Sequence, residues 1–250
     1  MDMMRAGIVA EPGNMEMTIR FGMTANMAAA RETDEERRKK LYEAVRDESL
    51  RGLRYYPYEP RLLENLGVSL IRLGEPELAV GPLESAAAIN PKSALSFYNL
   101  GIAYYILNNY NASINSYKRA LEIDPDMPGA KRNLGLALAR VGAHDSAEKM
   151  FLRALEDDGD NKAVLNSLGM AQSRQGKSEQ AVSSYKRALE IDPGFNEARG
   201  NLAIELIEIG ELKRAEEELL MILRSDPESE TARHHLERIY EMTGGAGKVF

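Results

Sequence analysis

Apolar and small residues recur along this chain with one fixed period. Leucines stand at Leu66, Leu100, Leu134, Leu168, Leu202 and Leu236, each 34 residues after the last, without insertion or deletion. A minimal side chain follows the first five, at Gly67, Gly101, Gly135, Gly169 and Ala203. Two more ladders keep the same phase. One is Ala79, Ser113, Ala147, Ala181 and Ala215; the other is Ala86, Ala120, Ala154, Ala188 and Ile222, with Leu83, Tyr117, Phe151, Tyr185 and Leu219 just ahead of it. A period of this length marks a stack of supersecondary units. Each period holds two stretches of helical spacing, parted by Gly74, Asn108, Gly142, Gly176 or Gly210, the residue types that turn left-handed at a helix C-terminus. Pro91, Pro125, Pro193 and Pro227 close four of the units, where a missing N–H stops the second helix; Gly159 replaces the fifth proline. The pattern predicts one helical hairpin per period, which buries its apolar face only by stacking on neighbours.

These residues and this spacing resemble the tetratricopeptide repeat family. The resemblance implies an all-α fold, a right-handed α-solenoid of helix-turn-helix 34-residue repeats with capping helices. Five units are expected at 60–93, 94–127, 128–161, 162–195 and 196–229. Residues 33–59 read as an N-terminal capping helix and degenerate half repeat, entered through the capping-box pattern Thr33-Asp34-Glu35-Glu36. A C-terminal capping helix is expected over 230–243, with Glu237 where other units carry Gly or Ala, followed by a flexible tail over 244–250. Family members often place a large aromatic early in each first helix; Lys131 and Arg199 depart from that. Pro82 lies past the first turn of its helix and predicts a kink or a local break.

Residues 1–32 form a Met-rich N-terminal arm holding seven of the 12 methionines. Met15-Glu16-Met17-Thr18-Ile19-Arg20-Phe21-Gly22-Met23 alternates apolar and polar, which is the period of a strand. The expectation is a disordered arm, or a strand that pairs with its twin in another copy or docks in the repeat groove.

Composition narrows the chemistry. The chain is 44% hydrophobic and 28% charged, with a net charge of −7 and no cysteine. Disulfides and thiolate metal sites are thereby excluded, and the acidic balance argues against nucleic acid as partner. No apolar run has the length of a membrane span. No export signal is visible, and the chain is read as cytoplasmic. Gly247-Lys248 lacks the remainder of a phosphate loop. His234 and His235, adjacent on a helix, diverge by about 100° and make a poor metal pair. Asp157-Asp158-Gly159-Asp160-Asn161 is a solvated turn rather than a calcium loop. Asn111-Ala112-Ser113 is a glycosylation triplet in a buried ladder. No nucleophile–base pair appears, and the repeats consume the chain. The expectation is no enzyme and no cofactor.

Function then falls to a surface. By resemblance, the first helix of each unit lines a concave groove. One row of that face reads Asn65, Asn99, Asn133, Ser167 and Asn201, similar to superhelical members such as the O-linked N-acetylglucosamine transferase repeats, whose asparagines hold an extended peptide backbone. An amide both donates and accepts, which suits a main chain of any sequence. Leu95, Tyr98, Ile102, Tyr105 and Ile106 form an apolar patch, ringed by Arg72, Arg132, Arg140 and Arg174. The lysine–asparagine clamp of chaperone-tail binders is missing, since its positions read Tyr98, Ile102 and Asn133. The expected function is a non-catalytic adaptor for a peptide or protein segment bearing acidic and apolar groups. The alternatives are a self-assembling scaffold resembling magnetosome-associated repeats, and therefore a homo-oligomer, or a regulatory subunit of a separate enzyme.

Overall fold

The computed structural model describes residues 14–244 and divides the chain into two compact units, 1–137 and 138–250. Within each, the described residues form an all-α stack of helical hairpins, with no strand among them. The first unit contains α1 (Met15–Arg31), α2 (Glu35–Leu53), α3 (Pro60–Arg72), α4 (Pro76–Ile89), α5 (Ala94–Ile106) and α6 (Tyr110–Ile123). Helix α7 (Ala130–Arg140) carries the boundary. The second unit continues with α8 (His144–Asp157), α9 (Lys162–Ser173), α10 (Ser178–Ile191), α11 (Asn196–Glu208), α12 (Leu212–Ser225) and α13 (Glu230–Thr243).

The small-residue ladder works by close approach. A methyl group on Gly101 would lie 2.5 Å from Tyr117 Cδ1, and one on Gly169 would lie 2.6 Å from Tyr185 Cε1. These hairpins close by seating a large second-helix side chain on a first-helix glycine, as Leu83 also does on Gly67. Ser113 seals the same crossing, donating from Oγ to the Gly101 carbonyl at 2.8 Å. The hairpin turns are left-handed at Gly74, Gly142, Gly176 and Gly210 and, alone among the described non-glycines, at Asn108 with φ 59°. The amides of Glu75, Asn109, Lys177 and Glu211 reach back to the carbonyls of Leu70, Tyr104, Gln172 and Leu206, satisfying the frayed helix ends.

Three expectations are corrected. Met15–Arg31 is neither strand nor disordered arm but a helix, capped by Asn14 Oδ1 accepting from the Met17 amide at 3.0 Å. Its inward residues Thr18, Phe21, Gly22, Ala25 and Ala29 follow helical spacing and pack α1 on α2, with Phe21 and Ala25 against Val45. The apparent alternation counted Met23 as inward, yet Met23 and Met27 are 53% and 58% exposed. The cap of α2 is Asp34, which accepts from the Arg37 amide at 2.8 Å, rather than Thr33. The local break expected at Pro82 is absent, since α4 runs as one helix through it, with Gly81 and Leu78 on its exposed side, where water can take the carbonyl that proline leaves free.

Arg199, which replaces the early first-helix aromatic, is buried. It donates to the Glu218 carboxylate and, at 2.6 Å, to the Pro193 carbonyl, so a satisfied guanidinium stands in for a ring. Helix α13 docks by Leu236 and Ile239 and ends at Gly244 in the left-handed region. Met1, Met3, Met4 and the Gly247-Lys248 tail lie outside the described residues.

Candidate functional site

The first helices of the first unit leave two open cavities on one face. One, of about 280 Å³, lies between α3, α5 and α7 and is lined by Val68, Ile71, Arg72, Tyr98, Asn99, Ile102, Tyr105, Tyr117, Arg132, Asn133 and Leu136. The other, of about 430 Å³, lies between α1, α3 and α5 and is lined by Met23, Asn26, Met27, Arg61, Glu64, Asn65, Val68, Leu95 and Asn99. Asn99 and Val68 border both.

The first cavity has aromatic walls. Tyr98 and Tyr117 meet with ring centroids 5.9 Å apart, and Tyr105 lies edge-on to Tyr110 at 5.5 Å. Burial pushes the Tyr117 phenol well above its usual range, with Tyr98 adding to the effect, so it stays neutral at any physiological pH. Asn133 donates from Nδ2 to the Tyr98 hydroxyl at 3.2 Å and accepts from Arg132 Nε at 3.3 Å. Asn99 is only 6% exposed, and its Nδ2 has no hydrogen-bond partner.

The asparagine row does not behave as one device. Asn65 is buried and donates to the Ile19 carbonyl of α1 at 3.4 Å, a contact that requires Gly22 beside it. Asn201, in the second unit, donates to Asn166 Oδ1 at 2.9 Å, and Asn166 in turn donates to Glu197 at 2.9 Å. Ser167 turns back on the Ala163 carbonyl of its own helix.

The apolar and basic candidates divide as well. Tyr98, Ile102, Tyr105, Arg72 and Arg132 come together around the first cavity, and Leu95 lines the second. Ile106 is exposed at the end of α5 and lines neither cavity. Arg140 and Arg174 are exposed in the second unit and belong to neither cavity. Sequence reading missed Met23, Met27 and Val68. The signal for the methionines was their spacing of four residues, which on a helix places both on one face.

No helix among the described residues is long and apolar enough to cross a membrane. The family profile described as TPR repeat matches residues 103–142, and profiles described as tetratricopeptide repeat match 126–193 and 173–239. Among solved structures the chain is similar to YrrB, described as a TPR protein with an unusual peptide-binding site. That match has 20% identity and a TM-score of 0.68, over 76% of this chain and 97% of that one. It is similar to the pilF protein of Pseudomonas aeruginosa at 15% identity and a TM-score of 0.71, over 90% and 97%. It is also similar to MamA 41-end from Desulfovibrio magneticus RS-1 at 19% identity and a TM-score of 0.65, over 68% and 97%. At these identities the likeness is one of fold. No curated protein sequence matches the chain.

Proposed function

Since the chain belongs to the tetratricopeptide repeat family, we propose that it is a non-catalytic adaptor that captures a peptide or protein segment on the first-helix face of its first unit. The observation that carries this reading is the cavity between α3, α5 and α7, where tyrosine rings, two arginines and a buried amide lacking a partner meet at one opening. Tyrosine and arginine dominate interface energetics, because they bring large area with a polar end and lose little freedom on binding. YrrB, similar in fold, is itself described as having a peptide-binding site, which agrees with a binding role for such a face. The test is capture from a lysate by the full chain and by the double variant Tyr98→Ala/Tyr105→Ala. The variant is expected to keep its helical circular dichroism and lose its partner. Capture at wild-type strength would remove the site from this face.

A second reading, self-assembly, has its own observation. Tyr55 and Tyr58, between α2 and α3, are among the most exposed aromatic residues of the described chain. Light scattering over a concentration series, with and without Tyr58→Ser, tests it: a particle mass that stays at one chain excludes assembly.

A further inference from the structure

The two cavities differ in what they lack, and the difference specifies a ligand. In the cavity between α3, α5 and α7 the Tyr98 oxygen already accepts from Asn133, so the Tyr98 hydroxyl proton is free to be donated, and no acceptor for it is found among the described residues. Asn99 Nδ2 is a second donor, buried and without a partner. Arg132 spends Nε on Asn133 and keeps its terminal nitrogens, while Arg72 stands at the rim; no carboxylate pairs with either among the described residues. Elsewhere in the same unit, Arg46, Arg51, Arg61 and Arg119 each hold a carboxylate at 3.2 Å or less. The chain carries 39 acidic against 32 basic residues, yet none of those acids lines this cavity. The Tyr98 hydroxyl, Asn99 Nδ2 and the terminal nitrogens of Arg132 are donors left for a ligand, and no carboxylate lines the cavity to compete for them.

In the neighbouring cavity between α1, α3 and α5 the charged groups are engaged, and the one buried atom there without a partner besides Asn99 Nδ2 is an acceptor, Asn26 Oδ1. Its Arg61 is held by Glu59 at 3.2 Å, and its Glu64 accepts from the Ser93 and Ser96 hydroxyls. With Arg61 paired and Glu64 hydrogen-bonded and buried, exposed Met23, Met27 and Leu95 make an apolar surface beside Val68. Methionine side chains adapt to varied apolar shapes.

We propose that the two cavities form one bipartite site for an acidic, apolar peptide. The carboxylate of an Asp or Glu side chain sits among Asn99, Tyr98, Arg72 and Arg132, and an apolar side chain of the same peptide sits against Met23 and Met27. The proposal rests on the reading that this face binds a peptide, and it names the peptide's chemistry. Charge-assisted hydrogen bonds from a guanidinium favour a planar carboxylate, and a single negative charge matches a cavity with one arginine inside and one at its edge. Asn99 borders both halves, so it would couple them. A lysine-bearing ligand would bring a positive charge beside two arginines in a cavity lined by no carboxylate.

The experiment is an array of immobilised degenerate nonapeptides with one fixed residue (Asp, Glu, Asn, Gln, Lys or phosphoserine) and a second fixed as Leu, Met, Phe or Ala, probed with the full chain. Glu over Gln, and Leu or Met over Ala, are each expected to give at least about tenfold stronger capture, with the acidic preference weakening as salt rises. In Arg72→Gln/Arg132→Gln the Glu-over-Gln preference should vanish and the apolar preference remain. In Met23→Ser/Met27→Ser the two should exchange. These side chains are at least partly exposed and outside the core, so both variants are expected to melt with the parent, which circular dichroism checks. Equal capture of Glu and Gln peptides, an acidic preference untouched by the arginine pair, or phosphoserine outcompeting both carboxylates overturns the assignment while leaving peptide binding in place. Capture of no peptide at all overturns it together with the reading on which it rests.

Discussion

The two units are built from one repeat and finish their polar groups differently. In the second, the larger polar clusters close on themselves, although His144 Nδ1, Gln175 Oε1 and His235 Nδ1 are buried without partners. Glu148 is buried and receives hydrogen bonds from Gln172 at 3.2 Å, Gln175 at 3.0 Å and Lys177 at 2.7 Å, while Ser184 donates to the other end of the Gln172 amide. Asn201, Asn166 and Glu197 form a second closed relay. A cavity of about 400 Å³ there lies between α12 and α13, lined by Leu220, Leu223, Arg224, Pro227 and Arg233, and involves none of these amides. In the first unit the relay is open: Asn133 and Tyr98 stop at a free hydroxyl proton, and Asn99 donates to nothing. Burying an unpaired donor costs about 1–3 kcal/mol. The unpaired atoms of the second unit line no part of its cavity, whereas Asn99 stands at the opening of both cavities of the first, where a ligand could satisfy it.

The comparison breaks if the hydrophobic scaffolds differ, and this carries the largest effect. Leu66 in the first unit and Leu168 in the second occupy the same ladder position and are both buried. Leu66→Ala and Leu168→Ala should each cost about 2–5 kcal/mol, the price of a cavity in a packed core. Urea unfolding measures both. If either proves neutral, the ladder is not a common core and the polar contrast loses its baseline.

A smaller effect isolates the closed network of the second unit. Burial alone would raise the Glu148 pKa, but hydrogen bonds from Lys177, Gln175 and Gln172 and the Lys177 charge outweigh it, leaving the carboxyl below its ordinary value of 4.5. A depressed folded-state pKa stabilises fully above the unfolded value and fades as the pH falls through the folded one. Glu148→Gln should thus destabilise by about 1–3 kcal/mol at pH 7, and the gap from the parent should narrow below pH 4.5. A gap independent of pH would show that the carboxylate charge contributes nothing.

The period, the left-handed turns and the glycine seats were legible because each follows from one residue type at one spacing: Gly101 under Tyr117, Asn108 at a positive φ. Helix α1 was not. Its inward positions are mostly small, Thr18, Gly22, Ala25 and Ala29, while its larger methionines Met23 and Met27 face outward, so hydrophobicity pointed to the wrong face. Because α1 was misread, the role of Asn65 was hidden too, since its partner is the Ile19 carbonyl of that helix. Part of the candidate site was legible as a cluster of residue types, Tyr98, Tyr105, Arg72 and Arg132. The fate of each asparagine was not, because whether an amide is spent depends on neighbours that are about 30 or more residues away in sequence, such as Ile19 for Asn65 and Glu197 for Asn166.

The smallest expected effect is the sharpest, because its sign differs between the units. Asn166→Leu removes the acceptor of Asn201 and the donor to Glu197, leaving two groups unpaired; it should lower stability by about 1–3 kcal/mol. Asn99→Leu, of similar volume, removes a buried Nδ2 donor that no group accepts. Replacing an unsatisfied polar group by an apolar one is neutral or favourable, so stability should hold or rise by up to about 1 kcal/mol, while capture of acidic peptides falls. Urea midpoints and peptide binding on the same two proteins decide it. Should Asn99→Leu destabilise as much as Asn166→Leu, then Asn99 is paired in solution, and the first unit holds its asparagines for structure, as the second does.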